Sequence, residues 1–393
     1  MIVIRLLIVG LIFSLIFVGS CAMSNRPSAA KVEEPPSASN SGSYYSGTYP
    51  SAAALSTSKY SQTAADRRVN EAWAYFKTEL LQSSGAVLRT DDNRVVSEGQ
   101  SYGMMLAVQN NDKDAFDKIW SWTKTNLQPG NSQGLFAWKC TLAGEVIESS
   151  TAPDADCMIA LALFFASHRF GDGAAPYDYS VQAKELCDRI LRYEVSADDY
   201  LAFCTENLTW FSPSYQMPAF YRLFAIYTGE TRWNKVAERS YDLVYACLKE
   251  EYGNADNGLV PDHCNKNGDL RSAGRDFYYD AMRTPFFLGL DQVWFGEARA
   301  QTYVDKAIGF FGPSYSSFGD KYSLDGRKLS DYHVTSWVGS LAGAAMGGNS
   351  ENDKVNFFNH LMGRDLPSGQ YRYYDLCWLN FGLLLCSGNF KIY

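Results

Sequence analysis

Three acids precede apolar runs in surroundings suited to chemistry. Glu98 lies in Ser97-Glu98-Gly99-Gln100-Ser101-Tyr102-Gly103-Met104-Met105. Asp154 lies in Ala152-Pro153-Asp154-Ala155-Asp156, ahead of Ile159-Ala160-Leu161-Ala162-Leu163-Phe164. Asp280 lies in Tyr278-Tyr279-Asp280-Ala281-Met282-Arg283-Thr284-Pro285. Taken singly, each fits a helix start, where acids complement the dipole and Ser97 could serve as an N-cap. Asp280 carries more, because Arg283 is within side-chain reach three residues along a helix and could hold a carboxylate ionised or grip a substrate hydroxyl. Two carboxylates facing one another across an aromatic groove suit glycosidic hydrolysis: one protonates the leaving oxygen, and the other activates water or attacks the sugar. No CxxC or Cys/His cluster with zinc spacing is present, and no metal or cofactor is expected.

The elements that would position these acids read as helices. Helix-length apolar periodicity predicts spans near 65–82, 99–111, 113–127, 154–170, 180–194, 214–229, 231–249, 278–292, 299–311, 333–346, 351–362 and 372–386. Short connections rich in Gly, Pro, Asn and Asp place consecutive helices antiparallel. Twelve such helices suggest two concentric rings of six, with a helical solenoid as the alternative. No motif recurs at the fixed period a solenoid would show. In a double ring the inner helices share one polarity, so their N-terminal ends gather on one face.

Those motifs resemble glycoside hydrolase family 8, as do Phe136-Ala137-Trp138-Lys139, Leu163 to Arg169, Pro213-Ser214-Tyr215 and Gly388-Asn389-Phe390-Lys391. The resemblance runs from about residue 67 to the C-terminal end. It implies an all-α (α/α)6 barrel and an inverting mechanism, with Glu98 as general acid, Asp280 as general base and Asp154 binding the distorted sugar at the −1 subsite. It further implies Tyr215 beside the catalytic water, and Arg283, Trp138, Tyr279, Tyr371 and Tyr374 along the subsites. A general acid must be protonated near neutral pH, so burial or a nearby carboxylate such as Asp154 is expected to raise the pKa of Glu98, while Asp280 stays ionised.

The segments around Phe136, Leu163 and Tyr371 look most like xylan-active members, whereas Ala155-Asp156-Cys157 is closer to the cellulase pattern. Where exo-acting relatives carry a Leu-His-Pro kink that blocks the groove, this chain reads Tyr332-His333-Val334, keeping only the His. The reading is an endo-β-1,4-xylanase, with a reducing-end xylose-releasing exo-oligoxylanase or an endoglucanase as alternatives. A surface glycan-binding lipoprotein is the alternative outside catalysis.

Composition agrees with a neutral β-1,4-linked substrate. The 393 residues are 46% hydrophobic and 15% aromatic, with a net charge of −8, which argues against nucleic acid or an anionic membrane surface as partner. Residues 1–21 read as an export signal ending in Val18-Gly19-Ser20-Cys21, which resembles a lipobox and implies lipid anchorage through Cys21 at the outer membrane or cell surface, with ordinary cleavage to a periplasmic or secreted protein as the alternative. Residues 22–58 read as a Ser/Pro/Ala-rich linker, and 59–393 as one catalytic domain. Eight further cysteines permit many disulfide pairings, and the sequence selects none.

Overall fold

A computed structural model describes residues 58–393; the expected export signal, Cys21 and nearly all of the linker lie outside the described residues. Twelve helices follow in order: α1 Gln62–Glu79, α2 Ser97–Gln109, α3 Lys113–Asn126, α4 Pro153–Phe170, α5 Tyr179–Tyr193, α6 Pro218–Thr228, α7 Arg232–Ala246, α8 Arg283–Phe295, α9 Ala298–Phe311, α10 Thr335–Ala345, α11 Glu351–Met362 and α12 Arg372–Cys386. Three short strands, β1 Arg94–Val96, β2 Lys139–Thr141 and β3 Val146–Glu148, form an antiparallel sheet in that order.

The even-numbered helices are buried on nearly every side. In α4, Pro153 through Ala166 are all buried, as expected of a helix apolar all round. The odd-numbered helices bury one stripe: α3 buries Phe116, Ile119, Trp120 and Thr123 and turns Lys118 to solvent. Contacts run from α2 to α4, α6, α8, α10 and α12, and α12 returns to α2. That last contact closes the inner ring and removes the solenoid alternative. Each outer helix packs on an inner one: α1 on α12, α3 on α2, α5 on α4, α7 on α6, α9 on α8 and α11 on α10. The α10–α12 contact is backbone to backbone, since a Cβ on Gly339 would sit 2.1 Å from the Trp378 carbonyl oxygen and one on Gly382 2.5 Å from that of Gly339.

Local chemistry explains the departures from expectation. Ser97 is the first helical residue of α2 and Val96 the N-cap, because the Ser97 N–H donates to the Trp138 carbonyl at 2.9 Å and prolongs the β1–β2 pairing. Helix α6 starts at Pro218 rather than near 214, since a proline disfavours helical backbone in the residue before it; Pro213–Tyr215 forms a separate 3-10 turn. Helix α8 starts at Arg283, so Asp280 sits in the turn ahead of it. The eight described cysteines are free thiols, and all but Cys204 are buried. Among the described residues no helix is long and apolar enough to cross a membrane.

Candidate active site

The starts of α2, α4 and α8 converge on one guanidinium. Arg283 is 1% exposed. Its Nη1 donates to Glu98 Oε2 at 3.0 Å, Asp154 Oδ2 at 2.8 Å and the Tyr102 hydroxyl at 3.1 Å. Its Nη2 donates to Asp280 Oδ1 at 2.7 Å and Ser214 Oγ at 3.1 Å. The planar fork of arginine suits this task, since it presents several donors in fixed directions. The same cation packs over the Tyr215 ring, 5.6 Å from its centroid. With its donors on the protein, Arg283 organises the carboxylates, and it also lines the larger cavity of the site.

Glu98 keeps 23% of its side-chain exposure towards the groove, yet the surrounding walls push its pKa up to about 7. Burial is the largest cause. The Arg283 charge opposes it, the charges of Asp154 and Asp280 reinforce it, and a 3.1 Å hydrogen bond from the Tyr373 hydroxyl to Oε1 lowers it. Asp154 is also raised, by burial first, against the lowering effect of Arg283; its Oδ1 accepts from the Ala155 N–H at 2.9 Å. Behind Asp280 lies Asp262, raised to about 7 by burial and then by the Asp280 charge. His263 Nε2 stands 3.9 Å from Asp280 Oδ2, and burial lowers the pKa of that imidazole. Deeper in the wall, burial raises a second acid pair, Asp156 and Glu194, with Glu194 at about 8.

Two cavities meet at this cluster and share Glu98 and Asp280 in their linings. One, of about 710 Å³, runs past Asp154 and Tyr215 to Trp138, Phe203 and Trp210. The other, of about 370 Å³, runs past Tyr373 and Tyr374 to Tyr279 and Tyr371, which are 42% and 70% exposed. Phe203 stacks on Tyr215 at 5.2 Å and on Trp210 at 4.4 Å, making one aromatic wall. Such rings offer flat apolar faces to a sugar.

The structure thus brings together Glu98, Asp154, Asp280, Arg283 and Tyr215, with Trp138 on one arm and Tyr279, Tyr371 and Tyr374 on the other. It does not bring His333. That ring bonds through Nδ1 to the Phe318 carbonyl at 2.9 Å and through Nε2 to His360 at 2.8 Å, and it packs against Phe318 at 4.4 Å. His333 is among the lining residues of neither cavity. Sequence reasoning assigned no role to Tyr102 or Tyr373, although both bond members of the cluster. Nor did it single out Phe203, Trp210 and Asp262. Tyr102 stood inside the first motif, and Tyr373 beside a chosen neighbour.

Comparison with known proteins agrees with this fold. The glycosyl hydrolases family 8 model matches residues 42–387. The chain is 33% identical over 384 residues to the reducing-end xylose-releasing exo-oligoxylanase Rex8A of Paenibacillus barcinonensis, covering 90% of this chain and 98% of that one. It is 32% identical over 363 residues to endoglucanase C of Ruminiclostridium cellulolyticum, covering 88% and 76%. A solved structure of a Rex8A variant complexed with xylose superposes with a TM-score of 0.80 at 29% identity, covering 90% and 99% of the two chains. The chain belongs to glycosyl hydrolases family 8 and is a glycosidase built as an (α/α)6 barrel.

Proposed function

We propose that this glycosidase cleaves internal β-1,4 bonds of xylan with inversion, Glu98 acting as general acid and Asp280 as general base. The observation that carries this reading is a carboxyl raised to about 7, Glu98, sharing one guanidinium with Asp280 at the junction of two cavities. A pKa near neutrality suits proton donation to the leaving oxygen. Because Asp154 and Tyr215 belong to the larger cavity, that arm takes the glycone, and the arm of Tyr279 and Tyr371 takes the aglycone. Asp154 then holds the −1 sugar, and Tyr215 stands beside the attacking water.

Endo action is favoured because His333 is not among the residues lining the aglycone arm and that arm ends in exposed tyrosines. The relatives named above support a β-1,4 substrate, and their near-equal identities keep an endoglucanase activity as the second reading, which Ala155-Asp156-Cys157 favours. The test is a product time course on xylan and xylohexaose, with β-1,4-glucan in parallel and anomers followed by proton NMR. Mixed oligomers and first-formed α anomers are expected. Xylose released singly from one end, or first-formed β anomers, would overturn endo action or inversion respectively. Binding to all these glycans without turnover would favour the glycan-binding alternative.

Residues 1–21 are further proposed to export the chain and to leave Cys21 lipidated, tethering it to a membrane on the outer face of the cell. Cys21→Ala should abolish labelling by a fatty acid and release the protein from the membrane fraction.

A further inference from the structure

The base candidate lies in the turn ahead of α8, and a residue from outside α8 also holds that turn. Asp262, 8% exposed, reaches across from a segment 18 residues earlier. Its Oδ1 accepts from the Asp280 N–H at 3.1 Å and the Ala281 N–H at 2.8 Å. Its own carbonyl accepts from the Ser212 hydroxyl at 2.7 Å. Ser212 Oγ and Ser214 Oγ are 2.9 Å apart, and both serines are fully buried. A serine hydroxyl has one proton. Ser212 donates its proton to Asp262, so Ser214 donates to Ser212, leaving the Ser214 oxygen free to accept from Arg283 Nη2. Arg283 Nη2 also donates to Asp280 Oδ1, which closes a circuit.

We infer that Asp262, Ser212 and Ser214 are positioning residues for the general base, gripping Asp280 by its backbone from one side while fixing the arginine that holds its carboxylate from the other. This rests on Asp280 being the base. From Arg283 to Ser214 to Ser212 to the Asp262 carbonyl the three hydrogen bonds point the same way, and the Asp262 carboxyl accepts from the N–H groups of residues 280 and 281. Aligned bonds of this kind polarise one another in a buried setting. The chemistry needs the base carboxylate aimed at a water, and a misplacement of 1 Å can cost about 10²-fold in rate. Substrate binding along the aromatic arms does not depend on that aim, so damage to the circuit belongs in kcat.

The test compares Asp262→Ala, Asp262→Asn, Ser214→Ala and Asp280→Asn by steady-state kinetics on xylohexaose. Asp262→Ala should lower kcat by about 10²-fold, with KM within about twofold. Asp262→Asn keeps the Oδ1 acceptor and should recover most of that loss. Ser214→Ala should lower kcat severalfold with KM unchanged. On an Asp280→Asn background, Asp262→Ala should add no further loss. An Asp262→Ala enzyme with normal kcat beside an inactive Asp280→Asn enzyme overturns the inference and leaves the base assignment standing. An active Asp280→Asn enzyme overturns the base assignment itself. If Asp262→Ala does not fold, an unchanged kcat in Ser214→Ala overturns the inference on its own.

Discussion

At the scale of single residues, the site turns on how one carboxyl keeps its proton. Glu98 begins a helix, where the dipole favours the anion, and it touches an arginine, which favours the anion again. Burial and two neighbouring carboxylates outweigh both. With Glu98 as the proposed general acid, Glu98→Gln should lower kcat by about 10²–10⁴-fold, the usual worth of general acid–base catalysis. In the parent enzyme kcat/KM should fall as pH rises through about 7, where the acid ionises. Stability should move in the same direction. A carboxyl whose pKa is higher folded than unfolded gives stability that is fully present below the unfolded value and declines as pH rises towards the folded one. For Glu98 that window runs from about 4.5 to about 7. Glu98→Gln should thus flatten the decline of Tm over this range, gaining most over the parent at its upper end. A Tm difference that does not change with pH would contradict this account. The three acids were legible in the sequence because each stood before an apolar run. The arginine was legible as a partner of Asp280 alone, since its other two carboxylate partners lie 129 and 185 residues away.

At the scale of elements, the helices were readable and their fine ends less so. The fully apolar inner helices and one-sided outer helices declare themselves by composition, which is why the spans near 113–127, 180–194, 351–362 and 372–386 agree closely with the structure. The turn ahead of α8 did not, because what stops the helix is a carboxyl from a distant segment. Tyr373 and Tyr374 are neighbours in sequence but point to different tasks: one bonds Glu98 and the other the Tyr279 carbonyl. Sequence offered no means to separate them. Helix contacts made through glycine should tolerate little. Gly382→Ala places a methyl 2.5 Å from the Gly339 carbonyl oxygen, and it should cost about 1–3 kcal/mol or more by overpacking, read as a lowered midpoint in urea unfolding. A midpoint equal to the parent's would show that α10 and α12 can move apart freely.

At the scale of the whole molecule, ring closure had no signature in sequence, since the α12–α2 contact joins the two ends of the barrel. The groove that crosses the gathered helix ends has an aromatic arm on either side of the acid cluster. Tyr371→Ala should raise KM for xylohexaose while leaving a substrate too short to reach that arm unaffected, and equal losses on both would place Tyr371 outside the substrate path. The meeting of three carboxyls on Arg283 has an electrical consequence for the whole cycle. Before cleavage, under the proposed roles, Glu98 carries the proton and Asp280 does not. After cleavage, Glu98 is negative and Asp280 neutral. The enclave carries the same formal charge at both moments, so the fixed cation meets the same total and no counter-ion has to enter or leave. Turnover of an uncharged glycan should accordingly respond little to added salt, because the charge moves within the enclave while its sum stays put.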